Sequence, residues 1–400
     1  MRQVVYDEPS LLASVAAHRL THGRAALPTY HLEKAKALVS FDADFLGTWG
    51  SPVQFTKDWA ARRKPDAELN LMSWHAQFEA RMSPTGANAD LRVPLKPSEL
   101  HGTLAALGRL IAQKTKWSGA LPASGQTSVS RSILLQTAET LVAERRRALV
   151  LCGSSDVSTQ AVANWINQML GAYESIADLA HPSRIAEGET GAFAALLDEM
   201  RGGKVGVLIV RGCNPAQDHP RAGEFRAAAA KVGTLVSLAG RPDETAKLAR
   251  VVCPEHHPLE SWADHDAHAG MISLSQPTVS PLRSTRDALE SLARWDGRRD
   301  TAHELIRAHF RSSVFPKQTK IKSFEEFWEN AVREGAVALA SGAVKAAFSP
   351  SAPSKLAAPP PPADGYELVA YQGVALGDGR QANNPWLQEL PDPIAKTTWG

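Results

Sequence analysis

Hydrophobic residues form short continuous runs that alternate with stretches of helical periodicity. Residues 37–41, 148–152 and 204–211 are mostly apolar without alternation, which predicts strands covered on both faces. Residues 100–114 and 130–142 instead repeat their apolar positions at the spacing of an amphipathic helix. Strands that alternate with helices indicate βαβ units and mainly parallel sheets. We therefore predict an α/β fold of two Rossmann-like parallel-sheet domains, followed by the start of a further domain.

The predicted organisation has five segments. Residues 1–125 form a first Rossmann-like α/β domain, and residues 126–312 form a second. Residues 313–348 are a helical appendage. Residues 349–365 are a linker because their proline content favours an extended, semi-rigid chain. Residues 366–400 begin a C-terminal domain that the sequence does not complete, and we expect the chain to be a piece of a longer protein.

Three finer expectations follow from this organisation. The apolar runs around Ala148, Val205 and Gly233 belong to the parallel sheet of the second domain. Residues 69–74 form the second strand of the first domain. The linker packs poorly, since consecutive prolines cannot donate backbone hydrogen bonds, and residues 366–400 make few contacts of their own.

Charge and cysteine content exclude several classes of protein. The 44 basic and 42 acidic residues leave a net charge of +2, which argues against a general nucleic-acid binder. The three cysteines contain no C-x-x-C pair, which argues against a cysteine-ligated iron–sulfur cluster within this sequence. Each cysteine adjoins an apolar run and is interpreted as a buried core residue.

The sharpest local feature is the segment from Val207 to Pro220, VLIVRGCNPAQDHP. A buried strand ends at Arg211 and is followed by a tight loop with Gly212 and Asn214. In open α/β sheets ligands bind at the carboxyl ends of strands, and glycine allows a close approach of the backbone to an anion. The same pattern also fits a plain turn between a strand and a helix.

A second feature is the segment of residues 244–270, which is rich in histidine and acidic residues. Spacings such as His265-x-x-His268 and Cys253-x-x-His256 are compatible with a metal. No ligand set is complete on one regular element, so a polar loop is the competing interpretation. The sequence has no G-x-S-x-G, P-loop or G-x-G-x-x-G motif.

Several segments in one order resemble the molybdopterin oxidoreductase superfamily. The G-x-N-P loop of residues 212–215 resembles the loop that contacts the pterin cofactor in that family. FDADFLGTWGSPVQF, MSPTGANADLRVPLKPSE, PLESWADHDAHAG and GDGRQANNPWLQELPDP together resemble one branch. That branch is the large iron–sulfur subunit of alternative complex III, a quinol-oxidising respiratory complex.

The resemblance implies a degenerate cofactor site. Gly153, Gly212, Asn214 and Arg241 correspond to vestigial cofactor-binding positions, which we expect to converge at the strand ends. The family's D-P-R-type strand end is matched to residues 73–75, where Trp74 would fill the space of the nucleotide. The metal-ligating residue and the cluster cysteines of the family have no counterpart, so the resemblance implies no catalytic residue and no metal ligand.

The function implied is that of a cofactor-free structural part of the respiratory subunit. Iron–sulfur clusters would lie in a C-terminal domain beyond Gly400. The partners would be cytochrome c and quinol-oxidising membrane subunits, on the periplasmic side of the cytoplasmic membrane. The alternative is a catalytic fragment that binds molybdopterin guanine dinucleotide, and a third hypothesis is a small-molecule-binding α/β protein unrelated to respiration.

Overall fold

The computed structural model describes residues 2–5, 9–64, 72–339, 346–357, 365–377, 379 and 381–398. The chain divides into two compact units. Asp7–Thr190 and Ala343–Gly400 form the first, called here the four-stranded unit, and Met1–Tyr6 and Gly191–Gly342 form the second, called the three-stranded unit. Within the described residues no helix is long and apolar enough to span a membrane.

The four-stranded unit takes its name from a parallel sheet in the order β4-β3-β2-β5. A separate antiparallel pair joins β1 to β6. The elements before residue 191 are α1 (Pro9–His22), β1 (Leu27–Tyr30), β2 (Ala37–Phe41), α2 (Pro52–Ala61), β3 (Trp74–Glu79), α3 (Pro84–Ala87), β4 (Leu91–Pro94), α4 (Leu100–Thr115), α5 (Arg131–Ala143), β5 (Ala148–Cys152), α6 (Val157–Leu170) and β6 (Ala177–Ser183).

Both faces of this sheet are covered, as its continuous apolar strands predict. Val39 and Phe41 point into a core that includes Trp165 of α6. Leu38, between them in sequence, points into a second core with Phe55 of α2. All five residues of β2 are buried, because β2 is an interior strand with a helix-bearing layer on each side.

The prediction that β5 shares a sheet with β7 (Val207–Val210) and β8 (Thr234–Ser237) was wrong. β5 pairs in parallel with β2, with Ala37 opposite Ala148 and Phe41 opposite Cys152, and α5 and α6 pack in the same unit. The compact units therefore do not follow the predicted boundary at residues 125–126. A strand that is apolar on both faces fits the interior of either sheet, so its composition carries no information about its partner.

The three-stranded unit contains a parallel sheet in the order β7-β8-β9. An antiparallel arrangement joins β10 to β11 and β11 to β12. The elements of the unit are α7 (Ala192–Arg201), β7 (Val207–Val210), α8 (Ala222–Ala229), β8 (Thr234–Ser237), α9 (Glu244–Leu248), β9 (Val251–Val252), β10 (Ala263–His268), β11 (Met271–Ser275), α10 (Ala288–Trp295), α11 (Ala302–His309), α12 (Phe324–Glu334) and β12 (Ala336–Ala338).

The predicted helical appendage at residues 313–348 is only partly helical. α12 ends at Gly335, whose φ of +70° terminates the helix in the left-handed conformation, and β12 follows at once. Phe327 and Trp328 of α12 pack with Ile272 of β11 and Phe310 in one core. Residues 313–339 are therefore an integral part of the three-stranded unit.

The linker prediction was wrong for its first half. Ala352 and Pro353 are buried, and Leu356, which is 8% exposed, belongs to the same core as Trp165. An apolar side chain in a proline-rich segment can still pack into a core, even when the backbone of that segment does not pair with a strand. Residues 358–364, which contain the four consecutive prolines, lie outside the described residues.

Candidate functional site

The four predicted cofactor-binding positions are divided between the two units. Gly153 belongs to the four-stranded unit, whereas Gly212, Asn214 and Arg241 belong to the three-stranded unit. Each follows the carboxyl end of a parallel strand, where ligands of open α/β sheets bind. The convergence of all four around one cleft stays a prediction.

Gly153 is required by packing between neighbouring strand ends. Its N–H donates to the Phe41 carbonyl over 2.8 Å. A Cβ at this position would lie 2.2 Å from the Asp42 carbonyl oxygen, far inside van der Waals contact. The glycine thus lets β5 and β2 end side by side, a structural role that needs no ligand.

Gly212 and Asn214 build the loop after β7. Gly212 has a φ of +68°, and the space beside it is open, so its backbone turn favours glycine. The Asn214 Oδ1 accepts hydrogen bonds from the N–H and the hydroxyl of Thr245, over 3.0 and 2.7 Å. Its Nδ2 donates to Glu244 over 2.8 Å, and this bond is the main reason that the pKa of Glu244 is lowered. Asn214 therefore ties the loop after β7 to the start of α9.

The two arginines near these loops differ in their partners. The Arg211 Nε donates to Glu255 over 2.8 Å. Arg241 is exposed, and its side chain forms no ion pair with any residue that the structure describes. A site for a cofactor with several negative charges normally gathers cations and helix N-termini, and here the charge of Arg211 is already neutralised by Glu255.

The matching of residues 73–75 to the nucleotide-reading strand end was wrong. Trp74 is the first residue of β3 and pairs with Ala37, the first residue of β2, so it lies at the amino end of the sheet. It is half-buried against the core of that unit and does not fill space at the carboxyl end. β3 begins at Trp74, five residues after the predicted start, and residues 69–71 of the prediction lie outside the described residues.

The carboxyl end of β3 instead carries Glu79 and Arg81, next to Asp42 and Asp44 from the loop after β2. Sequence reasoning missed this group. A signal for it exists in the strand itself, where His75, Gln77 and Glu79 place polar side chains on alternate positions of a buried run.

Glu79 is almost fully buried and fully bonded. Its carboxylate accepts from the Ser83 hydroxyl over 2.6 Å and from the Arg92 Nε over 2.7 Å. The Gln77 amide donates a further bond over 3.1 Å. A Cβ on Gly86 would lie 1.9 Å from the same carboxylate, so the loop after β3 is closed tightly around it.

Asp44 is bonded through one oxygen only. Its Oδ1 accepts from the N–H and the hydroxyl of Thr85, over 3.1 and 2.7 Å. Its Oδ2 is buried without a hydrogen-bond donor among the described residues, and the Arg81 guanidinium lies 4.0 Å away. The Gln77 Oε1 is likewise buried without a donor, so this edge holds two acceptors that a donor could still satisfy.

Asp42 completes the group. It has a φ of +54° at the end of β2. Loss of hydration, followed by the negative charge of Glu79, raises the pKa of Asp42 to about 6, against the opposing effect of Arg81. Clustered carboxylates of this kind shift each other's titration.

Histidines of the histidine-rich segment form hydrogen bonds within the protein, and the three cysteines are buried or half-buried. His256 bonds the Thr285 hydroxyl over 2.6 Å, and His257 and Glu260 form a capping box. Among the described residues no group of three or more His, Cys, Asp and Glu side chains is placed to hold a metal ion. The three cysteines are free; Cys152 is buried, as predicted, whereas Cys213 and Cys253 are only half-buried.

Comparison with known proteins shows the fold. No protein-family model and no curated protein matches the sequence. Among solved structures, acetylene hydratase from Pelobacter acetylenicus is similar, with a TM-score of 0.57 and 13% sequence identity over 83% of this chain and 56% of that chain. The chain thus spans about half the length of that enzyme. The likeness shows that the chain shares the α/β fold of that enzyme, and the parallel sheets agree with the fold that the sequence predicted.

Proposed function

We propose that this chain is a cofactor-free, molybdopterin-oxidoreductase-like structural part of a subunit in a respiratory quinol-oxidising complex. Its partners would be cytochrome c and quinol-oxidising membrane subunits on the periplasmic side, and iron–sulfur clusters would reside in a further domain. The respiratory assignment rests on the sequence resemblance, and the structural role rests on the strand-end loops.

The observation that carries the structural role is that polar groups at the strand ends bond to each other. The Asn214 amide forms hydrogen bonds with Thr245 and Glu244, and the Glu79 carboxylate accepts hydrogen bonds from Ser83 and Arg92. A ligand would have to break these bonds, each of which contributes about 0.5–1.5 kcal/mol net, or more when charged. These residues therefore do not fit a polyanionic pterin nucleotide.

The alternative, a catalytic fragment that binds molybdopterin guanine dinucleotide, is favoured by one observation. The free Oδ2 of Asp44 and the free Oε1 of Gln77 could accept hydrogen bonds from a ligand's donors. Both acceptors lie on the four-stranded unit, and no arrangement of metal ligands accompanies them in the described residues.

Metal analysis and calorimetry of the full chain separate the two hypotheses. We expect no stoichiometric molybdenum or tungsten, and no heat of binding on addition of the purified cofactor. Micromolar or tighter binding that Gly212→Val weakens would overturn the proposal. Gly206→Val is the matched control, because Gly206 has open space and no positive φ.

A further inference from the structure

Arg81 lies at the carboxyl edge of the four-stranded sheet, two residues after β3 ends at Glu79. Its side chain is 24% exposed, and its guanidinium lies 4.0 Å from the Oδ2 of Asp44. Its positive charge also opposes the rise in the pKa of Asp42, so it is close to both aspartates. Because ligands of open α/β sheets bind at this edge, Arg81 is a cation that a ligand here would contact.

The Arg81 guanidinium is already contacted by the end of the chain. Its Cζ lies 3.7 Å from the centre of the Tyr371 ring, a cation–π contact. Asp392 is also near, since backbone N–H groups of its own turn chiefly lower its pKa and the charge of Arg81 lowers it further. An aromatic face and a carboxylate are groups with which a guanidinium stacks and pairs. Residues 366–377 and 381–398, called here the C-terminal segment, therefore supply both to Arg81.

A second contact holds the C-terminal segment to the neighbouring loop. The Glu367 carboxylate accepts hydrogen bonds from the hydroxyl and the N–H of Ser98, over 2.6 and 2.9 Å. Ser98 lies in the loop that follows the carboxyl end of β4, whereas Arg81 lies in the loop that follows β3. Because β3 and β4 are neighbours in the sheet, the C-terminal segment crosses two adjacent loops at one edge.

The C-terminal segment reverses its direction after these contacts. Gly373 and Gly377 form an antiparallel bridge, in which the Gly377 N–H donates to the Gly373 carbonyl over 2.7 Å. Gly377 has a φ of +56°, a conformation that favours glycine. The chain then returns to Arg81 at Asp392. The segment thus meets Arg81 both before and after the reversal, which is the geometry of a strap.

We propose that the C-terminal segment is a strap that closes the carboxyl edge of β3, with the Tyr371 ring covering Arg81 in place of a ligand. An aromatic or anionic group from outside must displace Tyr371 to reach the guanidinium. A cation–π contact at an exposed position is weak, and Tyr371 is 59% exposed, so the strap can open while the sheet stays folded. This closure goes beyond the proposed function, because it concerns access to the edge and not the identity of a cofactor.

Phenylglyoxal, an aromatic reagent that modifies arginine, measures this access on the full chain. The rate of modification at Arg81 is followed by mass spectrometry of its peptide, and the protection of the Ser98 N–H by hydrogen exchange. We expect Tyr371→Ala to raise the rate at Arg81 about two- to fivefold, the factor that an exposed cation–π contact supplies. Tyr371→Phe, which keeps the ring, should keep the original rate.

A strap also predicts an effect of each contact on the other. Glu367→Ala, which removes only the contact with Ser98, should raise the rate of modification at Arg81. Tyr371→Ala should in turn speed the exchange of the Ser98 N–H. Tyr366→Ala is the matched control in the same segment, since Tyr366 is 108% exposed, and it should change neither measurement.

An unchanged rate at Arg81 in Tyr371→Ala would overturn the proposal. Effects confined to the contact that is removed would overturn it as well, because separate contacts do not make a strap. Faster exchange throughout β3 would also count against it, since Arg81 would then have become reactive through unfolding of the sheet. Neither measurement involves a cofactor, so their failure leaves the proposed function to its own test.

Discussion

The Asn214 side chain and the Thr245 residue share two hydrogen bonds, in which the Thr245 N–H and hydroxyl both donate to the Asn214 Oδ1 over 3.0 and 2.7 Å. Thr245 is fully buried, and its hydroxyl also accepts from the Ala216 N–H over 3.1 Å. Two loops at the carboxyl edge of the β7-β8-β9 sheet are therefore joined by one amide.

Asn214→Ala removes this junction and leaves the Thr245 N–H without its acceptor. We expect the free energy of unfolding to fall by roughly 1–3 kcal/mol, the usual cost of a buried donor left unsatisfied. Chemical denaturation checks this. Gln217→Ala is the control, since that side chain is exposed in the same loop. Equal effects of the two substitutions on the free energy of unfolding would show that the Asn214 hydrogen bonds do not stabilise the two loops.

Gly153→Ala tests the packing of β5 against β2. The new Cβ would lie 2.2 Å from the Asp42 carbonyl oxygen, so one strand end must move. We expect a loss of roughly 1–3 kcal/mol, typical of overpacking, seen as a lower Tm. Gly206→Ala, beside which no atom lies within 4 Å, should change the Tm little, and a tolerated Gly153→Ala would contradict the tight contact.

Two buried histidines on α1 predict acid sensitivity. The His18 Nδ1 donates to the Ser14 carbonyl over 2.8 Å, and its Nε2 accepts from the Tyr173 hydroxyl over 3.1 Å. Burial lowers the pKa of His18 to about 4, and burial with the charge of His18 lowers the pKa of His22 to about 3. Both are neutral in the folded chain at neutral pH.

In the unfolded chain these histidines gain protons near pH 6.5, whereas the folded chain resists protonation until about pH 4. Stability is therefore fully present above pH 6.5 and falls as the pH drops from 6.5 towards 4, by about 1.4 kcal/mol per unit of pKa difference for each group. His22→Phe, whose ring can still pack on Tyr173 and Phe348, should flatten this loss. Melting curves between pH 4 and 8 check it, and an unchanged slope would count against the assignment.

Leu356→Ala tests the docking of the segment after the three-stranded unit. Leu356 is 8% exposed in the core that contains Trp165, so its truncation should cost about 2–5 kcal/mol. Lys355→Ala at the exposed neighbouring position should cost little. A small effect of Leu356→Ala on denaturant unfolding would restore the view that residues 349–365 are a loose linker.

The helices that the sequence predicted well are those with a clear apolar periodicity. α4 covers Leu100–Thr115 against a prediction of 100–114, and Ser130 caps α5 through the Ile133 N–H, because these signals act within a few residues of each other. Strand pairing was harder. Neither the partner of β5 nor the start of β3 is fixed by local residues, since both depend on contacts far apart in sequence.

The candidate site shows the same contrast between features that local sequence signals reveal and features that depend on distant contacts. Gly212 is identified by a turn that favours glycine, and Asn214 by its place in the loop. Glu79 was missed because Ser83 and Arg92 can donate hydrogen bonds to its carboxylate only once β3 and β4 lie side by side. A polar residue inside an apolar run is thus a useful signal, but its partners come from the tertiary fold.

The connectivity of the four-stranded unit has a consequence for how the chain is made. The sheet needs β5 to complete it, and its core also receives Phe348 and Leu356, which are synthesised only after the whole three-stranded unit. When a nascent chain has emerged from the ribosome only as far as residue 340, the core of its four-stranded unit still lacks the contacts of Phe348 and Leu356. Because contacts between residues far apart in sequence form slowly, the three-stranded unit can finish folding before the four-stranded unit does. For the same reason, expression of residues 7–190 alone should yield an unstable product.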